Sequence, residues 1–261
     1  FQRTPSSVDV RNNRETDPEW AETLHSGWQY ERMDNFNVLV SGGDQDRDLV
    51  QDGWTDIFRN LTGIAAKEAS RKLGRRLTSA EKGKLMKMAD YKKMNGVRDR
   101  VDEIIEDEVT AEALKPWYRQ FCKRPCFHDE YLPTYNRPNV HLIDMLGKGV
   151  ERVTEKGVVV DGVEHELDCL IFATGFEVGT SYTRRAGYDV TGKEGKKLSD
   201  KWEDGLKTLH GFTTNGFPNC FFLGFTQGAV TVNVPHALNE QAKHISHLLA
   251  EVRTRGEHTV E

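Results

Sequence analysis

Lys123 and Arg124 stand side by side between Phe121 and Phe127, with Pro125 next in line. A guanidinium in such a stretch, stiffened by proline and partly desolvated by aromatic neighbours, is a strong donor to a phosphate or to an oxyanion that develops during a reaction. The same two residues also suit a structural ion pair, and the sequence alone leaves both readings open. Arg3, within Phe1-Gln2-Arg3-Thr4-Pro5, is placed like an arginine that receives a 2′-phosphate at the end of a dinucleotide-fold strand. An exposed terminal charge is the other reading. Two apolar runs, residues 168–173 and 220–223, lead into glycine: Gly175 after Thr174, and Gly224. In an open α/β sheet, ligands lie against the carboxyl ends of strands, where glycine admits close approach; the alternative is that these glycines only turn the chain.

Other groups that invite chemistry lack the partners it needs. Asp44, Asp46 and Asp48 open like a calcium loop, but Leu49 stands where glycine is required and Thr55 where glutamate is required. His244 and His247 lie one helical turn apart without the carboxylate of a metalloprotease pattern, so they read as surface histidines. His128-Asp129-Glu130 has no nucleophile beside it and reads as loop polarity. The four cysteines, Cys122, Cys126, Cys169 and Cys220, are too few for a disulfide scaffold and suit a reducing cytoplasm. Cys122 and Cys126 lack a second pair at zinc-site distance and read as packing residues, and no metal is expected.

A formal charge of -5 and a pI near 6.0 argue against a dedicated binder of nucleic acid or anionic membrane. The basic run over residues 67–76 is followed by Asp102, Glu103, Glu106, Asp107 and Glu108, which favours a solvated helical face. With no apolar stretch near the roughly 20 residues that span a bilayer, a soluble, cytoplasmic chain with a small-molecule partner is expected.

The elements that must position these residues fall into two classes. Residues 1–14 read as the end of a strand. Residues 15–115 read as a helical subdomain: Val50, Trp54, Ile57, Phe58 and Leu61 recur at helical spacing, as do Val97, Val101, Ile104 and Ile105. Thr78 and Glu81 form a capping box for a helix whose apolar face continues through Leu85 and Met88. From Pro116 the texture changes. Residues 140–144 and 150–154 read as strands, and 157–160 pairs with 163–167 across the hairpin turn Asp161-Gly162. Residues 168–173 read as a buried central strand and 220–223 as a second one. A last helix over 234–252 carries Leu238, Ala242, Ile245, Leu248 and Leu249 on one face. The class is therefore α/β.

Over nearly its whole length the chain resembles the type I Baeyer-Villiger monooxygenases of the flavin-containing monooxygenase superfamily. The residues that carry the likeness are Phe1-Gln2-Arg3-Thr4-Pro5, Lys115-Pro116-Trp117-Tyr118, Phe121-Cys122-Lys123-Arg124-Pro125, Tyr135-Asn136-Arg137-Pro138-Asn139-Val140, Asp168 through Phe176, and Gly216-Phe217-Pro218-Asn219, in that order. Asp52-Gly53-Trp54-Thr55 and Asn233-Val234-Pro235-His236 look most like the branch that takes large cyclic ketones.

The resemblance implies an incomplete two-dinucleotide-binding-domain flavoprotein fold with a helical insertion. Residues 1–14 and 116–167 would belong to the NADPH-binding domain, 15–115 to the insertion, and 168–261 to the C-terminal part of the FAD-binding domain. It implies FAD and NADPH as cofactors, with a ketone and dioxygen as substrates. The reduced flavin of that family captures dioxygen as a C4a-peroxide that converts a ketone to an ester or lactone. Arg124 would be the active-site arginine, stabilising the oxygen anion and the bound NADP. Lys123 and Arg3, assisted by Thr4, would hold the 2′-phosphate. Thr174 and Gly175 would pack near the flavin nucleotide, and Asn233 and Val234 near its ring.

The chain departs from that pattern in containing neither G-x-G-x-x-G nor F-x-G-x-x-x-H-x-x-x-W. Both glycine loops are expected upstream of Phe1, and a further segment after the last helix. Without those loops the pyrophosphates lack a helix N-terminus to sit on, so the isolated chain is predicted not to turn over. Two rival readings stand beside this one: an N-hydroxylating flavin monooxygenase of the same superfamily, and a non-catalytic helical binding module.

Overall fold

Thr78 and Glu81 form the expected capping box at the start of the longest helix: the Thr78 hydroxyl accepts from the Glu81 amide, and the Glu81 carboxylate accepts from the Thr78 amide at 2.8 Å. The computed structural model describes residues 1–43, 45–62, 64–176, 179–224, 226–227 and 231–261, and of residues 60–62, 64, 65 and 68 it describes the backbone. Asp44 of the calcium-like run and the side chain of Leu61 therefore lie outside the described residues. The chain divides into two compact units, Phe1–Phe172 and Ala173–Glu261.

In the first unit a short strand, β1 (Val8–Asp9), precedes six helices: α1 (Pro18–Glu22), α2 (Trp28–Val40), α3 (Gly53–Thr62), α4 (Ile64–Leu73), α5 (Ser79–Ile104) and α6 (Glu108–Leu114). The buried stripe of α5 is Asp90, Met94, Val97 and Val101, a helical repeat that packs Val101 with Ile105, Ala111, Leu114 and Leu132. Met88, expected on this face, is exposed instead, because the stripe runs one position later. Helix α3 starts at Asp52, whose carboxylate accepts from the amides of Trp54 and Thr55.

After α6 come β2 (Cys126–Phe127), α7 (Tyr131–Thr134) and a three-stranded antiparallel sheet, β3 (Arg152–Val153), β4 (Gly157–Val160) and β5 (Val163–Glu166), in the order β3-β4-β5. β2 pairs in parallel with β1, with Val8 opposite Cys126 and Asp9 opposite Phe127. The hairpin turn is of the expected primed kind, with positive φ at both Asp161 (50°) and Gly162 (77°). Val158, Val159 and Val160 are all buried, so β4 is the centre of its sheet. The strand expected at 140–144 is reduced to one bridge between Asp144 and Gln2, and that at 150–154 to β3.

The second unit contains α8 (Tyr182–Ala186), a 3₁₀ turn at Lys193–Gly195, α9 (Leu198–Lys201) and α10 (Val234–Thr254). Its core is Leu198, Phe217 and Phe222, with Trp202 tilted against Phe222 at 4.9 Å between ring centroids. The expected apolar side of α10 is only partly covered, and none of its residues is buried.

The two expected buried strands also fail to form. Residues 168–173 form no strand and are not buried: Ile171 is 82% exposed and Phe172 73%, and Phe176, just after the run, is 96% exposed. Residues 220–223 form no strand either, though Phe222 is buried. Continuous apolar composition suits a buried strand, but a strand exists only where a neighbour completes its hydrogen bonds, and among the described residues none lies beside either run. No helix among the described residues is long and apolar enough to cross a membrane.

Candidate functional site

The β1–β2 pairing is what makes a site. Cys126 donates its amide to Ser7 at 2.9 Å and His128 donates to Asp9 at 2.9 Å, which fixes the register. Carried back along both chains, that register brings Pro5 level with Lys123. The Lys123 ammonium accordingly donates to the carbonyl oxygens of Thr4 (3.1 Å) and Pro5 (3.0 Å) and to the Thr4 hydroxyl. It also lies 5.2 Å from the centroid of Tyr118, whose hydroxyl donates to Pro5 at 3.1 Å. Desolvation by burial, and then the neighbouring charge of Arg3, hold the Lys123 ammonium below the usual lysine range. Arg3, Thr4 and Lys123 thus converge, and among the described residues no carboxylate pairs with either cation. Two like charges held together without a counter-charge favour an anion between them.

Arg124 follows directly but is exposed, which corrects the expectation of partial desolvation. The aromatic neighbours point elsewhere: Phe121 packs on Phe58 at 5.3 Å, Phe127 on Trp54 at 5.8 Å, and Pro125 is buried in place of Arg124. Among the described residues the guanidinium makes no hydrogen bond and no ion pair, so the structural ion-pair reading finds no partner; only its carbonyl is engaged, by the Cys126 thiol at 3.6 Å. Cys122, read as a packing residue, is exposed, and Cys126 is half-buried.

The remaining predicted residues lie in the second unit. Thr174 and Gly175 are exposed, and Gly175 has φ 91°, with open space where a β-carbon would stand. The left-handed φ is one that favours glycine, and the open space beside it leaves room for a close approach. Asn233 is buried and caps α10, its side-chain oxygen accepting from the His236 amide, while Val234 is the half-buried first residue of that helix.

Other polar groups have structural partners. The Asp129 carboxylate accepts from the amides of Arg11 and Asn12, and His128 Nδ1 accepts from the Glu130 amide. His244 is exposed, and its ring is tilted against that of His210 at 5.5 Å between centroids. Among the described residues no three His, Cys, Asp or Glu side chains gather as metal ligands would.

Sequence reasoning missed the residues of α5 that hold this region. Arg98 donates to the Pro116 carbonyl (2.9 Å), Arg100 to those of Val8 (3.2 Å) and His128 (3.3 Å), Lys93 pairs with Asp9 (2.6 Å), and Asp90 accepts from the Gln120 amide (2.9 Å). A carboxylate on an otherwise apolar helical stripe, Asp90 before Met94, was the one signal that could have marked it.

No protein-family model matches the chain. Among curated proteins, neopentalenolactone D synthase of Streptomyces avermitilis is 54% identical over all of this chain and 43% of its own length. Baeyer-Villiger monooxygenase ATR8 of Stachybotrys chlorohalonatus is 46% identical over all of this chain and 41% of its own. Among solved structures, the polycyclic ketone monooxygenase of Thermothelomyces thermophila matches with a TM-score of 0.82 at 39% identity, covering 98% of this chain and 42% of that one. Over its whole length the chain is similar to Baeyer-Villiger monooxygenases. It spans less than half the length of the curated relatives it matches. The OTEMO structure in complex with FAD and NADP matches with a TM-score of 0.68 at 25% identity, covering 98% of this chain and 47% of that one. The Baeyer-Villiger monooxygenase fold, mixed α/β and of the two-dinucleotide-binding flavoprotein kind, thus accounts for nearly all of the described chain.

Proposed function

We propose that this chain carries the NADPH-phosphate cradle and the active-site arginine of an FAD- and NADPH-dependent monooxygenase that converts ketones to esters or lactones. The observation that carries the reading is the convergence of Arg3, Thr4 and Lys123, with no carboxylate paired to either cation among the described residues. These residues fit a 2′-phosphate: Lys123 supplies a compact charge, Arg3 a planar fork of donors, and Thr4 a hydroxyl. NADPH is thereby preferred over NADH. Arg124, exposed beside them, is a permanent cation whose donors have no partner among the described residues, suited to stabilising negative charge on oxygen during the reaction. Bound FAD, once reduced, supplies the activation of dioxygen. Thr174 and Gly175 fit contact with the flavin nucleotide through an exposed backbone and hydroxyl, whereas Asn233 contributes mainly by starting α10 beside the ring. The ketone substrate is favoured over an amine by the Baeyer-Villiger names of relatives across the whole chain. The 261 residues by themselves contain no G-x-G-x-x-G loop to seat a pyrophosphate and are proposed not to turn over.

Titration of the chain with NADP⁺ and NAD⁺ by calorimetry tests the cradle. A preference for NADP⁺ of about tenfold or more, lost in Arg3→Ala and Lys123→Ala, is expected from one or two charge-assisted bonds to phosphate. Equal binding of the two nucleotides would overturn it.

A further inference from the structure

The cations of the cradle sit on a loop that has little regular structure of its own. Residues 119–122 form a turn in which the Cys122 amide donates to the Arg119 carbonyl at 3.1 Å, and Phe121, its third residue, has φ 67°. That is the pattern of a type II turn, which favours glycine or asparagine at the third position, so a phenylalanine there is under backbone strain. Something outside the turn has to hold it.

Asp90 does so. It lies on the buried stripe of α5 and is 7% exposed. One carboxylate oxygen accepts from the backbone amide of Gln120, the second residue of the turn, at 2.9 Å across 30 residues of sequence. Its other oxygen, Oδ2, and the side-chain oxygen of Gln120 find no hydrogen-bond partner among the described residues, so the bond to the Gln120 amide is what justifies a buried carboxylate at this point. Its neighbours on α5 fix the two ends of the same region: Arg98 holds Pro116, and Arg100 holds Val8 and His128. Of these α5 residues it is Asp90 that bonds to the turn leading into Lys123 and Arg124, while Phe58 of α3 packs on the Phe121 ring at 5.3 Å.

We propose that Asp90 is a positioning residue: it pins the 119–122 turn and so aims Lys123 and Arg124, without touching nucleotide itself. This rests on reading Arg3, Thr4 and Lys123 as a phosphate cradle. Asn at position 90 keeps the accepting oxygen, whereas Ala removes it. Gln120→Pro removes the donor from the other side, at the second turn position, where proline is at home.

The test uses the 261-residue chain, with adenosine 2′,5′-bisphosphate as the probe and adenosine 5′-monophosphate as its control, read by calorimetry, and amide hydrogen exchange of residues 120–126 read separately. Asp90→Ala and Gln120→Pro are expected to weaken the bisphosphate by about tenfold, leave the monophosphate unchanged, and speed exchange over 121–126 while α6 and β4 stay protected. Asp90→Asn is expected to restore both readouts to within about twofold. Unchanged exchange in Gln120→Pro overturns the proposal, as does failure of Asp90→Asn to rescue what Asp90→Ala loses. If the unsubstituted chain does not prefer the bisphosphate, the cradle reading fails, and the exchange data still decide whether Asp90 pins the turn.

Discussion

The ring of Phe127 in β2 lies against the α-carbon of Gly53 at the start of α3, so that a β-carbon at position 53 would overlap the ring. This contact joins the helical region to the strand that directly follows Arg124, and Trp54 closes it from the side with a T-shaped contact at 5.8 Å.

Gly53→Ala is therefore expected to destabilise the chain by about 1–2 kcal/mol, since the ring must leave its place against Trp54. The better helix propensity of alanine recovers only part of this, because position 53 stands in the first turn. Urea denaturation measures the loss, and pairing the change with Phe127→Leu is expected to recover most of it.

Arg124→Ala is expected to leave thermal stability within about 0.5 kcal/mol of the parent, because the side chain is exposed and has no partner among the described residues. In an enzyme of full relative length it is expected to abolish ester formation while reduction of flavin by NADPH stays measurable. Arg124→Lys, which keeps charge but not the planar fork, is expected to fall between. Product analysis by gas chromatography alongside stopped-flow reduction separates these outcomes, and retained ester formation in Arg124→Ala would refute the role.

Glu81 gives the first helical turn of α5 a dependence on acid. Arg75, with bonds of 2.6 and 3.0 Å, and then the amide and hydroxyl of Thr78 hold its carboxyl down at about 2, against an ordinary 4.5. Since the folded value lies below the unfolded one, the ionised carboxylate stabilises the fold fully above about 4.5, and that contribution is lost as pH falls towards 2. Glu81→Gln is expected to show a smaller drop in melting temperature across this window, and high salt to narrow the difference, because the group is exposed. Melting curves recorded by circular dichroism at stepped pH provide the check.

Gly162 occupies the second left-handed position of the β4–β5 turn, with φ 77°. Gly162→Val is expected to cost about 1–2 kcal/mol in denaturation experiments, a β-branched residue being poorly tolerated there. Asp161→Asn is expected to be neutral or slightly stabilising, since Asn-Gly is the preferred pair.

Local signals were legible in the sequence where the local chain decides the outcome. The Thr78 and Glu81 box, the Asp161-Gly162 turn and the repeat of Val97 and Val101 all appear as read, because each depends on residues within a turn or two. The apolar runs at 168–173 and 220–223 misled, because composition reports willingness to be buried but not the presence of a neighbouring strand. The meeting of Arg3 with Lys123, 120 residues apart, came from family likeness, and its physical basis is the parallel pairing of two-residue strands too short to announce themselves. Asp90 and Gly53 escaped because their partners, Gln120 and Phe127, are reached only through the tertiary fold.

Residues 169–176 form an uncharged, proline-free segment whose backbone is in no ladder and whose Ile171, Phe172 and Phe176 face solvent. Such a segment is a ready template for cross-β stacking between copies. How concentrated a solution of this chain can be made will thus be limited by colloidal behaviour well before any helix unfolds, and a single lysine in place of Ile171 should raise that ceiling more than any substitution in the core.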